Sequence, residues 1–437
     1  MTSYGKGLLM LGLLVLMAGC QFLPAPSSPT PTRPAPTATL PPTSTMPPSS
    51  PTPKPTSTPT LQPTPTAVPM ALKGLRLSPL GAGPITLVAL RMVDEQQGWA
   101  IGTRNETVYY LLRTQDGGRT WTDVSPPLAG DRGQRPALAV WDGDRAWVAY
   151  PVEDLTQASP VVWRTQDGGR TWEAAPIPMR EEEFRFDPRP LVVTDATRLW
   201  LLVHLEGGMH HDYAALFASQ DGGVTWHRVT DPWNEGAADL MSLYTTDLAF
   251  TPDGYGWATK SNGVAPGGVL VVTEDGGVTW SAETLVPPGV KDVLQAPICD
   301  TASPHLWARD VGTVLLTCPY EDPQAYVVHV EGSQQVALPL PVVAQRVRFF
   351  NPKEGLAFGP HPYASLEPIR SSLIYRTTDG GLSWEKVKEV YWRGVFFFLN
   401  PKYGWALADN GTEQVLTLTR DGGSTWDMVR PEVVSGP

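Results

Sequence analysis

Cysteine is nearly missing from this sequence: three in 437 residues, at Cys20, Cys299 and Cys318. That excludes a dense disulfide scaffold, and no spacing fits a structural zinc site. Basic charge is also short, with 33 Lys and Arg against 44 Asp and Glu. All the acids lie after residue 70, whereas Lys6, Arg33 and Lys54 lie before it. The remainder is therefore strongly acidic, which argues against a nucleic-acid partner. Histidine numbers seven, and His204, His210, His211 and Asp212 form the single group with metal-ligand chemistry. Adjacent residues in extended backbone point apart, so no metal and no cofactor is expected there. The one long apolar run, Leu8 to Met17, is too short to span a bilayer. Helical periodicity is absent, which leaves β-structure.

What the sequence has in excess is proline, 46 residues, many of them early in the chain. Residues 1–20 carry Lys6, the apolar run and Ala18-Gly19-Cys20, the pattern of a secretory signal. Small residues directly before Cys20 resemble the bacterial lipobox, although Met17 stands where leucine is usual. The resemblance implies cleavage before Cys20 and its lipidation, so the protein is expected outside the cytoplasm, anchored to the cell membrane surface. An ordinary signal peptide with an incidental cysteine is the alternative. Residues 21–70 form a disordered Pro/Thr/Ser/Ala-rich linker, in which Pro24 to Pro69 would reach at most about 140 Å in extended form.

Residues 71–437 are organised by a repeat. Thr114-Gln-Asp-Gly-Gly-Arg-Thr-Trp121 recurs with small changes at 165–172, 219–226, 273–280, 377–384 and 419–426. The aspartates, Asp116, Asp167, Asp221, Asp275, Asp379 and Asp421, suit a tight turn as acceptors of backbone N–H groups. The paired glycines permit positive φ, and the hydroxyls tie the turn's ends. The tryptophans, Trp121, Trp172, Trp226, Trp280, Trp384 and Trp426, cover it. These residues are read as structural rather than catalytic. Successive aspartates lie 51, 54, 54, 104 and 42 residues apart, so the long gap hides one unit without the turn. A second signature, Gly98-Trp-Ala100 and its variants at Trp147, Trp200, Trp257, Trp307, Leu356 and Trp405, also counts seven.

Each unit reads as four short strands, with the Gly-Trp-Ala segment second and the Asp-Gly-Gly turn between third and fourth. Seven such units predict an all-β, seven-bladed propeller of four-stranded antiparallel blades. The last unit supplies its own four strands, leaving Leu72 to Pro79 as an addition to it or a lead-in. Cys299 and Cys318 fall in the fifth unit, near the start of its second strand region and the end of its third. They are expected to form a disulfide, with two buried thiols as the alternative.

The turn motif resembles the Asp-box, or BNR, repeat. Its combination with the Gly-Trp-Ala strand resembles the photosystem II stability and assembly factor family across residues 85–430. That resemblance implies a noncatalytic, extracytoplasmic scaffold that binds membrane-protein partners through a basic patch, for which Arg91 and Arg348 are the nearest candidates, with Arg393 more loosely placed. The acidity and the long spacer depart from that family's pattern. Asp-boxes also occur in sialidases and glucan-degrading propellers, which implies glycoside hydrolysis as the alternative. A sialidase would carry an Arg-Ile-Pro-like motif before the first turn, and nothing before Thr114 spells it.

Connections between blades supply further candidates for a binding rim. Arg132 and Arg135 follow the first unit, Arg180, Arg185 and Arg189 the second, Trp233 the third, and Tyr391, Trp392 and Arg393 the sixth. Arginines and large aromatics on one rim suit a protein or glycan partner of a monomeric protein. Surface charge with aromatics packed between blades is the bland alternative.

Overall fold

The computed structural model describes residues 75–76, 80–105, 108–129, 134–156, 158–207, 212–232, 236, 238–241, 243–319, 323–360 and 371–434. Every described residue belongs to the unit Thr66–Pro437. The expected signal, Cys20 and the whole linker, with Arg132, His210, His211 and Trp233, lie outside the described residues.

Seven sheets follow one another along the chain, and in each the four strands of one unit neighbour one another in sequence order. Their first strands are Thr86–Met92, Ala137–Val140, Asp187–Val193, Tyr244–Phe250, Asp300–Ala308, Arg346–Phe349 and Arg393–Phe398. The chain is an all-β, seven-bladed propeller. Between successive blades lies an apolar cluster, seven in all, so each sheet buries both faces against its neighbours. The ring is therefore held by many similar interfaces rather than one central core.

The Asp-Gly-Gly turns have one geometry. Asp116 Oδ1 accepts from the N–H groups of Arg119 and Thr120 at 3.0 and 2.9 Å and from the Thr114 hydroxyl at 2.9 Å. Its Oδ2 accepts from the Thr120 hydroxyl at 2.7 Å. Gly117 and Gly118 sit at φ 76° and 96°, a region that side chains rarely occupy. In each of the six turns the first glycine donates its N–H to the turn joining the first two strands of its own blade, as Gly117 does to the Gln96 carbonyl at 2.8 Å. A carboxylate at this position collects N–H groups that the turn itself leaves unpaired.

The two repeated signatures meet across blade boundaries. Trp147 Nε1 donates to the Gly222 carbonyl at 2.8 Å, and Trp200 Nε1 donates to the Gly276 carbonyl at 3.0 Å. In these two pairs the tryptophan of one blade's second strand caps the turn of the next blade, whereas Trp99 Nε1 donates to the Asp142 carbonyl at 3.1 Å. Trp405 of the seventh blade makes the same bond to the Gly117 carbonyl of the first, at 3.1 Å.

Ring closure uses an added strand. The first and seventh blades each have four strands of their own, and Glu432–Val434 runs parallel to Thr120–Asp123, with Val433 beside Trp121. Gly83–Pro84 then pairs with Glu432–Val434 from the other side. Leu75–Arg76 pairs with Leu128–Ala129 and is thus a lead-in, not part of the last blade.

The fifth blade corrects the sequence reading. Trp307 lies in the first strand, Asp300–Ala308, not the second, because a tight turn at Arg309 and Asp310 (φ 54°) follows it directly. The second strand is Val311–Cys318. Cys299 therefore precedes the first strand and Cys318 ends the second. Pairing of Asp300 with Thr317 brings the cysteines opposite each other, and their sulphurs are bonded at 2.03 Å.

Candidate functional site

First strands line the axis of a propeller, and in this ring they are apolar except at a few positions. Asp187, Asp300 and Arg393 at strand starts aside, charges stand at Arg91, Asp247, Arg346 and Arg348, with Arg135 just before the second blade's first strand and Arg189 within the third. In a strand, residues two apart share a face, which places Arg346 and Arg348 together. These six residues line two cavities on the axis, of about 470 and 250 Å³, that share Arg91 and Asp247. The larger holds Arg135 and Arg189, with Ile101, Leu138 and Leu191 as apolar wall. The smaller holds Arg346, Arg348, Ser303 and His305, with Phe397 among several phenylalanines.

The electrostatics are those of crowded cations enclosed by protein. Arg91 is reached by solvent yet ringed by the channel wall. That enclosure, then Arg346, Arg135 and Arg348, lowers its pKa to about 10 against the pull of Asp247. Burial and Arg346 likewise lower Arg135 and Arg348. Burial raises the Asp247 carboxyl, opposed by the Leu248 N–H and by Arg346 and Arg91. Burial and Arg348 hold His305 down at about 4, so at neutral pH it adds no charge. Five guanidinium groups thus surround one carboxylate. Among the described residues Arg91, Arg135, Arg346 and Arg348 make no ion pair, while Arg189 meets Asp187 at 2.7 Å.

The expected rim residues separate. Arg91, Arg189 and Arg348 come together in the channel. Arg185 does not line it; its guanidinium lies 3.4 Å from Asp187 and 3.7 Å from Glu153. Arg180 pairs with Asp231, and Arg228 with Glu183 at 2.6 Å, so that insert is stitched down by ion pairs. Tyr391 is 76% exposed, whereas Trp392 stacks on Phe396 at 5.3 Å and is packing. Arg393 is exposed at the start of the seventh blade's first strand, in register with Asp409, and lines neither cavity. His204 is buried, with Nε2 3.0 Å from the Arg189 carbonyl and its ring stacked on Tyr244. Arg346 and Asp247 were missed as site residues. Their only signal was charge inside a first strand, Asp247 in Tyr244–Phe250 and Arg346 beside Arg348 in Arg346–Phe349.

No protein-family model matches the chain. A xyloglucanase of Paenibacillus sp. is 27% identical over 186 residues, which are 40% of this chain and 17% of that enzyme. The match therefore spans a small part of the relative. Among solved structures, the GH74 xyloglucanase from Xanthomonas campestris aligns over 83% of this chain and 55% of its own, with 16% identity and a TM-score of 0.54. An oligogalacturonate lyase in complex with manganese aligns over 81% and 99%, with 9% identity and a TM-score of 0.51. YCF48 bound to a D1 peptide covers 80% and 99% with 16% identity, and its TM-score of 0.49 is too low to carry an argument. At these identities the likenesses establish the propeller fold alone.

Proposed function

We propose that this chain is a noncatalytic binding scaffold. In this reading a lipidated Cys20 anchors it outside the cytoplasm, the Pro/Thr/Ser-rich linker lifts it from the membrane, and the Asp-box propeller presents one face to a protein or glycan partner. Membrane-complex assembly is the role that the repeat's resemblance suggests. The observation that supports binding is the channel, where Asp247 is the sole carboxylate among the described lining residues and five arginines surround it. Glycoside hydrolysis ordinarily needs two carboxylates on opposite sides of the scissile bond. Arginines without such a pair recognise acidic groups and leave bonds intact.

Hydrolysis of a glucan is the second reading, favoured by the 27% identity to a xyloglucanase over 186 residues. One experiment separates them. The full-length chain is assayed against xyloglucan, other glucans and sialosides, and is used in parallel to capture partners from membranes of its source. Absence of turnover with recovery of one specific membrane protein supports the scaffold. Turnover that disappears when a carboxylate at the propeller face is changed to its amide makes the chain a hydrolase.

A further inference from the structure

The polar side chains of the channel are mostly hydrogen-bond donors. Asp247 and Ser303 supply the only side-chain oxygens on its described wall, against five guanidinium groups. A neutral sugar chain carries hydroxyls that must donate as well as accept. On this wall they would find few side-chain acceptors besides Asp247 and Ser303. A carboxylate only accepts, and two parallel N–H groups of arginine match its two oxygens.

The distribution of the arginines adds a second constraint. Arg91 stands where the two cavities meet, with Arg135 and Arg189 on one side and Arg346 and Arg348 on the other. A ligand with one acidic group satisfies one side and leaves the other cations repelling each other. Apolar residues fill the intervals, Ile101, Leu138 and Leu191 in one cavity and Phe397 in the other. Those surfaces accommodate carbon rather than a second shell of water. The volumes, about 470 and 250 Å³, are of small-molecule size.

We propose that the axial channel is a site for an organic polycarboxylate, a short carbon skeleton whose two or three carboxylates are shared between the Arg135–Arg189 and Arg346–Arg348 groups across Arg91. The inference rests on reading the channel as a binding centre rather than a catalytic one.

Isothermal titration of the full-length chain tests it, with citrate as probe and succinate, acetate and inorganic phosphate as comparators. Citrate is expected to bind about tenfold or more tightly than acetate or phosphate, since each added carboxylate gains charge-assisted bonds. The R91Q/R346Q variant should lose at least about tenfold in citrate affinity, while R420Q, at a surface ion pair with Asp427, should retain it. Should R91Q/R346Q fail to give a native near-ultraviolet dichroism spectrum, R135Q alone serves, because Arg135 makes no ion pair with the described residues. Phosphate binding as tightly as citrate overturns the polycarboxylate class, and unchanged citrate affinity in the folded arginine variants overturns the location. A synthetic peptide with acidic C-terminal residues that displaces citrate and binds more tightly overturns the small-molecule source. Loss of this inference leaves partner capture intact, whereas turnover of a neutral glucan would remove the binding reading beneath it.

Discussion

Replacing Trp405 by Phe should weaken the joint that turns seven blades into a ring. Trp405 is fully buried in the cluster between the seventh and first blades, and its Nε1–H ends on the Gly117 carbonyl 288 residues away. Phenylalanine keeps most of the apolar contact but leaves that carbonyl without its donor. The unpaired carbonyl costs about 1–3 kcal/mol, and the smaller ring forfeits roughly 1 kcal/mol of burial. The expected loss is therefore about 2–4 kcal/mol. Trp257→Phe is the control, because Trp257 is equally buried but donates to the Tyr255 hydroxyl within its own blade, at 3.2 Å. Urea unfolding measures the cost of each change, and amide hydrogen exchange of Thr120–Asp123 and Glu432–Val434 locates it. Exchange at those strands should accelerate in W405F and not in W257F. A W405F cost below about 1 kcal/mol, or unchanged exchange at the closing strands, would refute the role assigned to this bond.

Three further outcomes follow from the fold. The six turn aspartates all have lowered pKa values. The Ser383 hydroxyl and N–H hold Asp379 at about 2, and the Thr425 hydroxyl and N–H hold Asp421 at about 2 against its desolvation. A folded pKa below the unfolded value gives stabilisation that is complete above about pH 4 and fades as pH falls toward 2. D421N should show a shallower fall of Tm with acid than the parent chain, and parallel curves would contradict this. Changing both Cys299 and Cys318 to serine should cost roughly 3 kcal/mol, from the 19-residue separation of the bridge, with no effect expected from a reductant on the double variant. Equal stability of the parent with and without reductant would show the bridge to be dispensable. Ending the chain at Arg430 removes Glu432–Val434, exposes Trp121 and the site of buried Val433, and should cost about 2–3 kcal/mol in urea unfolding. A midpoint unchanged by that truncation would mean the parallel strand is not the clasp.

The blade count was legible because each blade writes its own chemistry locally. Asp116 bonds Thr114, Arg119 and Thr120 within a few residues, so the need for an acceptor, two positive-φ positions and a cover is spelled contiguously and repeats. The fifth blade shows the limit of such reading. Leu306-Trp-Ala308 spells the second-strand signature, but a turn at Arg309 and Asp310 ends a first strand there. A triplet names a buried tryptophan without stating which strand carries it. The bond from Trp405 to Gly117 was invisible for a related reason, since both halves were recognised as motifs while their meeting depends on ring geometry.

The channel lies furthest from sequence reading. Arg91, Asp247 and Arg346 come from blades one, four and six, and no local pattern links them. Arg91 stands between Leu90 and Met92, Asp247 between Thr246 and Leu248, and Arg346 two residues before Arg348. In a propeller a first strand has an edge on the axis, so such a charge is exempt from the rule that a buried ion must find a partner within its own sheet. It can instead share solvent, or a ligand, with charges from every other blade. Seven first strands converging on one axis make such convergence cheap, because changing one residue per blade leaves the clusters between blades untouched. That separation allows the turns and tryptophans, which hold the ring, to repeat while the axial charges vary from blade to blade. A site of this kind is found by asking which first strands break their own apolar pattern, and in this chain the answer is a set of arginines around Asp247.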